Sequence, residues 1–432
     1  WPSLVELTLT QLASMVDLMM VGQLGPWALT AVGLTTQPKF LLMTMFMAMN
    51  VGATAMVARY KGAGNQKKAD EVLRQALLMT FVLGCVFAVI GFIAAPWLIK
   101  FMGASEDHVL QAGVDYLRIQ MIGLPGLALT STITATLRGV GNSKTAMIYN
   151  AMANIINVIF NYMLIYGNFG APRMEVAGAS LATIIGQYCA MFMAFYAVMN
   201  GQQYIILRFR DGFKPNKEEI KKIVDIGAPA MVEQVVMRIG LIIYTRTVAG
   251  LGTLPYAVHQ VCLNIQSLSF MNGQAFAVSA TSLTGQSLGK KRHDMAQAYT
   301  TRTRKLGMCV SIFLGVVFFF FGGQIVALYS GGDQSLVELG AVIMMFVAVV
   351  QPFQSSQLIL AGALRGAGDT KVTAAITFIT VLLVRPALAI FAINVLGMGL
   401  EGAWYALVTD QILRSLLVLL RYNSGAWKRH TM

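Results

Sequence analysis

The sequence predicts an all-α integral membrane protein of twelve transmembrane helices, in two six-helix lobes related by a pseudo-two-fold axis along the membrane normal. Three observations lead there. The 432 residues are 56% hydrophobic and only 12% charged, against about 25% charge in a soluble domain. Apolar runs of about the 20 residues needed to cross a bilayer recur along the whole chain. The chain also repeats itself at an offset of 227 residues, with Pro2 and Glu6 returning as Pro229 and Glu233. Leu137-Arg138-Gly139-Val140-Gly141-Asn142-Ser143-Lys144 returns as Leu364-Arg365-Gly366-Ala367-Gly368-Asp369-Thr370-Lys371. After a three-residue slip, Ala177-Gly178-Ala179 matches Glu401-Gly402-Ala403. Repeats of this length in an apolar chain mark transporters built from two halves.

The helices are read in order. Run 1 (2–21) carries two acids, run 2 (29–57) contains Pro38, and run 3 (75–98) follows a basic connection. Run 4 (117–136) contains Pro125, run 5 (146–166) carries four asparagines, and run 6 (177–199) closes the first half. Runs 7 (229–248), 8 (256–283), 9 (306–329), 10 (337–361), 11 (373–396) and 12 (402–421) repeat the plan, with Pro229, Pro352 and Pro386 inside helices. All are helical because a lipid-exposed segment must satisfy its own backbone. The prolines are expected to bend them.

Charge sets the orientation. The even-numbered connections and the C-terminus hold 24 of the 32 basic residues, among them Arg59, Lys67, Arg138, Lys222, Arg292, Lys371 and Arg429. The positive-inside rule then puts both termini in the cytoplasm of a multi-pass plasma-membrane protein. The expected domains are an N-lobe (1–199), a cytoplasmic linker (200–226) with a short amphipathic helix over Lys217–Lys222, and a C-lobe (227–432). Because residue 1 sits almost on the first apolar run, a short cytoplasmic leader is expected before it, and no stretch resembles a cleaved signal peptide.

The net charge of +13 does not indicate nucleic acid, since the basic residues sit in short connections without interleaved aromatics. Cys85, Cys189, Cys262 and Cys309 lie singly in apolar runs, and the four histidines are scattered. Neither disulfides, a metal site nor a cofactor is indicated. A membrane-embedded enzyme would need a nucleophile or metal constellation, and the sequence offers none.

Polar residues inside the apolar runs are the functional candidates, because a charge at mid-membrane costs about 2.5–3.5 kcal/mol on insertion scales. Glu6 and Asp17 lie 11 residues apart on the first helix, three turns and about 16 Å along one face. Such carboxylates suit a proton, a sodium ion or a cationic substrate; the competing reading is a carboxyl that pins helix 1 to its neighbours. Asn150, Asn154, Asn157 and Asn161 follow spacings of four, three and four on the fifth helix, one stripe of amides. The stripe is either interhelical glue or the lining of a hydrated path. In the second half Glu233 repeats Glu6, but Tyr244 stands opposite Asp17. Gln260 and Asn264 on helix 8 and Gln354 on helix 10 add polarity, as packing glue or as substrate ligands. Arg238, Arg246 and Arg385 also lie in apolar runs, with Asp410 a candidate counterion for Arg385.

Several motifs resemble the multidrug and toxic compound extrusion (MATE) transporters, bacterial type. They are Val16-Asp17-Leu18-Met19-Met20-Val21-Gly22-Gln23-Leu24-Gly25, the Leu137–Asn142 motif, Asn157-Val158-Ile159-Phe160-Asn161-Tyr162, and Thr284-Gly285-Gln286-Ser287-Leu288-Gly289. The resemblance spans essentially the whole chain. It implies two six-helix lobes forming a V and export of organic cations in exchange for protons or sodium. It also implies that Asp17 is the coupling acid, with Asn157 and Asn161 beside it. Where some members carry an aspartate on helix 10, this chain has Gln354, which points coupling to the N-lobe.

The resulting expectation is a monomeric secondary antiporter that expels small amphipathic cations by alternating access between two lobes. The coupling ion, H+ or Na+, is handled by Asp17, Asn157 and Asn161. The substrate contacts are expected from Asp17, Asn154, Asn157, Glu233, Gln260, Asn264 and Gln354. The alternative is a flippase or exporter of a lipid-linked or amphipathic metabolite, which the buried arginines would suit.

Overall fold

The structure, a computed structural model, describes residues 1–102, 104, 106–328 and 333–430, apart from the side chains of residues 26, 29, 30 and 253. Residue 329, the end of the ninth predicted run, and residues 431–432 of the predicted C-lobe lie outside the described residues. The chain divides into two compact units, Trp1–Gly227 and Ala228–Met432.

The first unit contains α1 (Pro2–Gly22), α2 (Pro26–Met47), α3 (Met49–Gly62), α4 (Gln66–Phe101), α5 (Asp107–Gly139), α6 (Ser143–Tyr166) and α7 (Val176–Met199). At its centre α5 packs on α2, α3, α4 and α7, while α1 packs on α6. Continuing from the first unit into the second, α8 runs over Lys217–Ala249. The second unit then holds α9 (Thr253–Gly289), α10 (His293–Ala327), α11 (Gln334–Gly366), α12 (Thr370–Thr377), α13 (Arg385–Ile390) and α14 (Leu400–Asn423). There α11 is central, packing on α9, α10 and α14. Two π-helical stretches, Phe378–Val384 and Phe391–Val395, flank α13. Pro386, near its start, has no N–H to donate, and the wider π turn re-registers the backbone around it.

Among the described residues ten helical spans are long and apolar enough to cross a membrane, with 31–62 and 370–395 each counted as one; α5 and α9 are not among them. Their polar content faces protein. Buried on α5 are Gln120, Thr130, Thr132, Thr134 and Thr136, and on α9 His259, Gln266, Ser269 and Asn272. Lipid-suited surface lies elsewhere: α4 exposes Phe81, Val86, Val89, Ile93 and Trp97, and α10 exposes Phe313 and Phe320. Large apolar side chains outside and threonines inside reverse the pattern of a water-soluble domain. The chain is a multi-pass membrane protein.

Helix ends depart from the apolar runs. α4 begins nine residues before its run, so Lys67, Lys68 and Arg74 are helical, and α10 likewise takes in Arg302, Arg304 and Lys305. The physical reason is that hydrophobicity marks where lipid lies, whereas capping decides where a helix starts. Asn65 Oδ1 accepts from Lys68 N at 3.2 Å, and Asp333 Oδ1 from Ser335 N at 3.0 Å. The predicted linker is corrected for the same reason. Residues 217–226 are the opening turns of α8 rather than a separate amphipathic helix. The rest of that segment is strapped to α4: Gln75 Nε2 donates to Lys214 O at 2.9 Å, and Asp70 Oδ1 accepts from Ile206 N at 2.9 Å.

The repeated Leu-Arg-Gly-x-Gly motif builds one turn twice. Asn142 N bonds back to Leu137 O at 2.8 Å and Asp369 N to Leu364 O at 2.9 Å. Gly141 and Gly368 take φ of 86° and 87°, a conformation that favours glycine. The preceding glycine serves close packing. A Cβ on Gly139 would lie 2.9 Å from Thr54 O, and one on Gly366 2.3 Å from Thr281 O. At the same crossings Thr54 Oγ1 bonds Ala135 O at 3.2 Å and Thr281 Oγ1 bonds Gly362 O at 2.8 Å, each spanning 81 residues. Gly366→Ala is therefore expected to destabilise the protein by about 1–3 kcal/mol through overpacking. Gly33→Ala, inside α2 where a Cβ meets open space, should not lower the unfolding temperature in detergent, since alanine favours a helix interior over glycine.

Candidate ion and substrate site

The polar residues of α1 meet the asparagine stripe of α6 in strict register. Asn150 Nδ2 donates to Glu6 Oε1 at 2.7 Å, Asn154 Nδ2 to Thr10 Oγ1 at 3.4 Å, and Asn161 Nδ2 to Asp17 Oδ1 at 2.6 Å. Every partner lies 144 residues from its mate. A constant difference means that the two helices run parallel. Asn150 and Asn154 thus tie α6 to α1, Asn154 through one amide N–H on Thr10.

Asn157 and Asn161 differ from the other two. The small Ala13 occupies the register position facing Asn157, and both Asn157 Oδ1 and Asn161 Oδ1 are buried acceptors without a hydrogen-bond partner. Asp17 is half-buried beside them. One carboxylate and two open amide oxygens within about one turn of a helix pair form an oxygen-rich site suited to a small cation. Lys39 on α2 and Tyr116 on α5 lie within electrostatic reach of Asp17. Sequence reasoning missed Lys39, although a lone lysine beside Pro38 in an apolar run is as conspicuous as Arg238 or Arg385.

Glu6 has a second partner, Arg138 Nη2 at 2.6 Å. Its repeat copy makes the same clasp. Arg365 Nη2 donates to Glu233 Oε1 at 2.7 Å, and Thr377 Oγ1 to the same oxygen at 3.1 Å. Thr377 stands 144 residues from Glu233, as Asn150 does from Glu6. The Arg of each repeated motif therefore neutralises the Glu of each first helix. Glu233, expected among the substrate contacts, is buried and engaged in this clasp.

The second unit has no counterpart of Asp17. Tyr244, at the equivalent position, donates to Ala403 O at 2.7 Å. Arg385 Nε donates to Asp410 Oδ2 at 2.7 Å, so the candidate counterion is in place. Gln354 is buried with Oε1 unpartnered, whereas Gln260 and Asn264 are exposed one turn apart on α9.

The MatE family model matches residues 2–163 and 229–391, and the two matches start 227 residues apart, as the repeats do. The chain belongs to the MatE family. Among its relatives, "Probable multidrug resistance protein NorM" of Thermotoga maritima is 27% identical over 432 residues, covering 100% of this chain and 92% of that protein. "Uncharacterized transporter YisQ" of Bacillus subtilis is 26% identical, covering 99% and 93%. Solved structures share the fold. One, described as an "Outward-facing conformation of a multidrug resistance MATE family transporter of the MOP superfamily", superposes with a TM-score of 0.92 at 20% identity, covering 100% of this chain and 95% of that one. A MOP superfamily transporter from Pyrococcus furiosus, described under "Reverse polarity of binding pocket suggests different function", gives 0.91 at 21% identity, covering 99% and 95%. This MatE chain therefore has a membrane-transporter fold.

Removing one member of a mostly buried ion pair strands the other, at about 3–5 kcal/mol for a fully buried pair. Arg138→Met alone should thus lower the unfolding temperature more than the double variant Glu6→Gln/Arg138→Met. Equal losses in detergent would show that the clasp does not stabilise the first unit.

Proposed function

We propose that this chain is a secondary antiporter of twelve membrane spans that exports amphipathic organic cations in exchange for protons or sodium. The observation that supports this most is the half-buried Asp17 carboxylate, held by Asn161 at 2.6 Å beside two unpartnered amide oxygens. The ionised carboxylate attracts a cationic substrate. A proton or sodium ion arriving from outside neutralises it, and the substrate loses its counter-charge. The two ligands compete for one site, which opens by alternating access to either side of the membrane. Each elementary charge moved down 100 mV supplies about 2.3 kcal/mol to such an exchange. Lys39 is the resident counter-charge that any incoming cation must outcompete, and it keeps the site from trapping its cargo. The names of the NorM relatives agree with multidrug efflux.

A second reading, a flippase or exporter of a lipid-linked or amphipathic metabolite, is favoured by the two arginines gathered on Asp410. It predicts transport of anionic amphiphiles and indifference to cationic dyes.

Proteoliposomes with separately imposed proton and sodium gradients test the assignment across a panel of dyes. Asp17→Asn should abolish gradient-driven efflux while the protein still inserts; full, gradient-dependent efflux would refute the role of Asp17. Lys39→Gln should tighten cation binding by about tenfold, equivalent to ~1.4 kcal/mol, and slow turnover. An unchanged half-saturating dye concentration would remove Lys39 from the site.

A further inference from the structure

The charged cluster in the core of the second unit plays no part in that exchange. Asp410 on α14 is fully buried, and its Oδ2 accepts from Arg385 Nε at 2.7 Å and Arg414 Nη2 at 2.8 Å. Both arginines are only 4% exposed. Two guanidiniums therefore share one carboxylate, and arginine does not give up its proton in proteins.

The surroundings do not restore the balance. The Arg385 guanidinium lies over the Tyr244 ring, 5.4 Å from its centroid. His259 sits between Tyr244 and Trp404, with ring centroids at 5.6 and 5.7 Å. A neutral phenol and an indole contribute no negative charge, and an imidazole contributes none in either protonation state. Glu233, the further acid in electrostatic reach of Arg414, is already held by Arg365. Among the described residues, Arg365, Arg385 and Arg414 thus face only Glu233 and Asp410, a surplus of one positive charge in a membrane-buried core. Buried charges are ordinarily paired. Hydrogen bonding is incomplete as well. Arg414 Nε is a buried donor without a partner, as is the indole Nε1 of Trp404 on the same helix, and Asp410 Oδ1 is a buried acceptor without one, so the carboxylate meets both guanidiniums through Oδ2 alone.

We propose that the core of the second unit is a binding site for one monovalent anion, either chloride or the carboxylate of a carried molecule, at Arg385 and Arg414. Asp410 positions the two guanidiniums and leaves one negative charge to be supplied, not two. In polarity the site is opposite to Asp17 in the first unit. It does not depend on the antiport assignment, and its test is separate from dye efflux.

The full chain is purified in detergent with potassium methanesulfonate, which carries no carboxylate, and titrated at constant ionic strength with potassium chloride or potassium acetate. Thermal unfolding is the readout. We expect a saturable rise of several degrees with one or both small anions. A rise with chloride identifies the free ion, and a rise with acetate alone identifies a carried carboxylate. Arg414→Gln leaves a balanced Arg385–Asp410 pair and should lose the response, whereas Lys290→Gln, an exposed basic residue, should keep it. Should Arg414→Gln not fold, equilibrium binding of radiolabelled chloride to the unaltered chain, with acetate as competitor, decides instead. Saturable binding or competition supports the site; neither overturns it. Unfolding indifferent to both anions, or an Arg414→Gln response equal to that of the unaltered chain, would also overturn it.

Discussion

Each lobe depends on an ion pair that cannot be left half-made. Glu6 and Arg138 meet at 2.6 Å, and Glu233 and Arg365 at 2.7 Å, among helices whose outer faces are apolar. In such surroundings a lone carboxylate or guanidinium is far less stable than the pair. The arginine is delivered by a turn that only its two glycines permit, one for backbone conformation and one for contact with a neighbouring carbonyl. With Glu6 anchored in this way, the remaining polar groups of α1 fall opposite the amides of α6. The position of Asp17 is thus a consequence of the clasp eleven residues earlier.

The two repeats preserved this scaffold and diverged at what it carries. Clasp, glycine turn and threonine crossing occur in both units at matching positions. Where the first unit then places Asp17 and Asn161, the second places Tyr244 and an arginine pair. The duplicated framework thus carries unlike polar contents in its two units.

Much of this was legible in the sequence. The repeat, the apolar runs and the asparagine face follow from spacing alone, because helical periodicity maps position onto direction. Both halves of each clasp were visible too, as Glu6 with Glu233 and as the Leu-Arg-Gly motif. Their pairing was not visible, because partners 132 residues apart have no local signature. Lys39 was missed although its signal, a single cation inside an apolar run, equals that of Arg238 and Arg385. Helix ends were misread wherever basic residues extend a helix past the hydrocarbon, as at Lys217 and His293. The engagement of Glu233 with Arg365 was not visible, because an acid in an apolar helix looks alike whether it awaits a ligand or already holds an arginine.

The seam between α1 and α6 has a mechanical meaning. Its contacts recur over 11 residues in three turns, about 3.67 per turn, close enough to the natural pitch that the helices need little coiling around each other. Sliding one past the other by a single residue, about 1.5 Å, would dismantle three side-chain contacts together. Helix and partner behave as one stiff stave, so the acid and its amide travel as a unit, and whatever bends in this lobe bends at the margins of that stave.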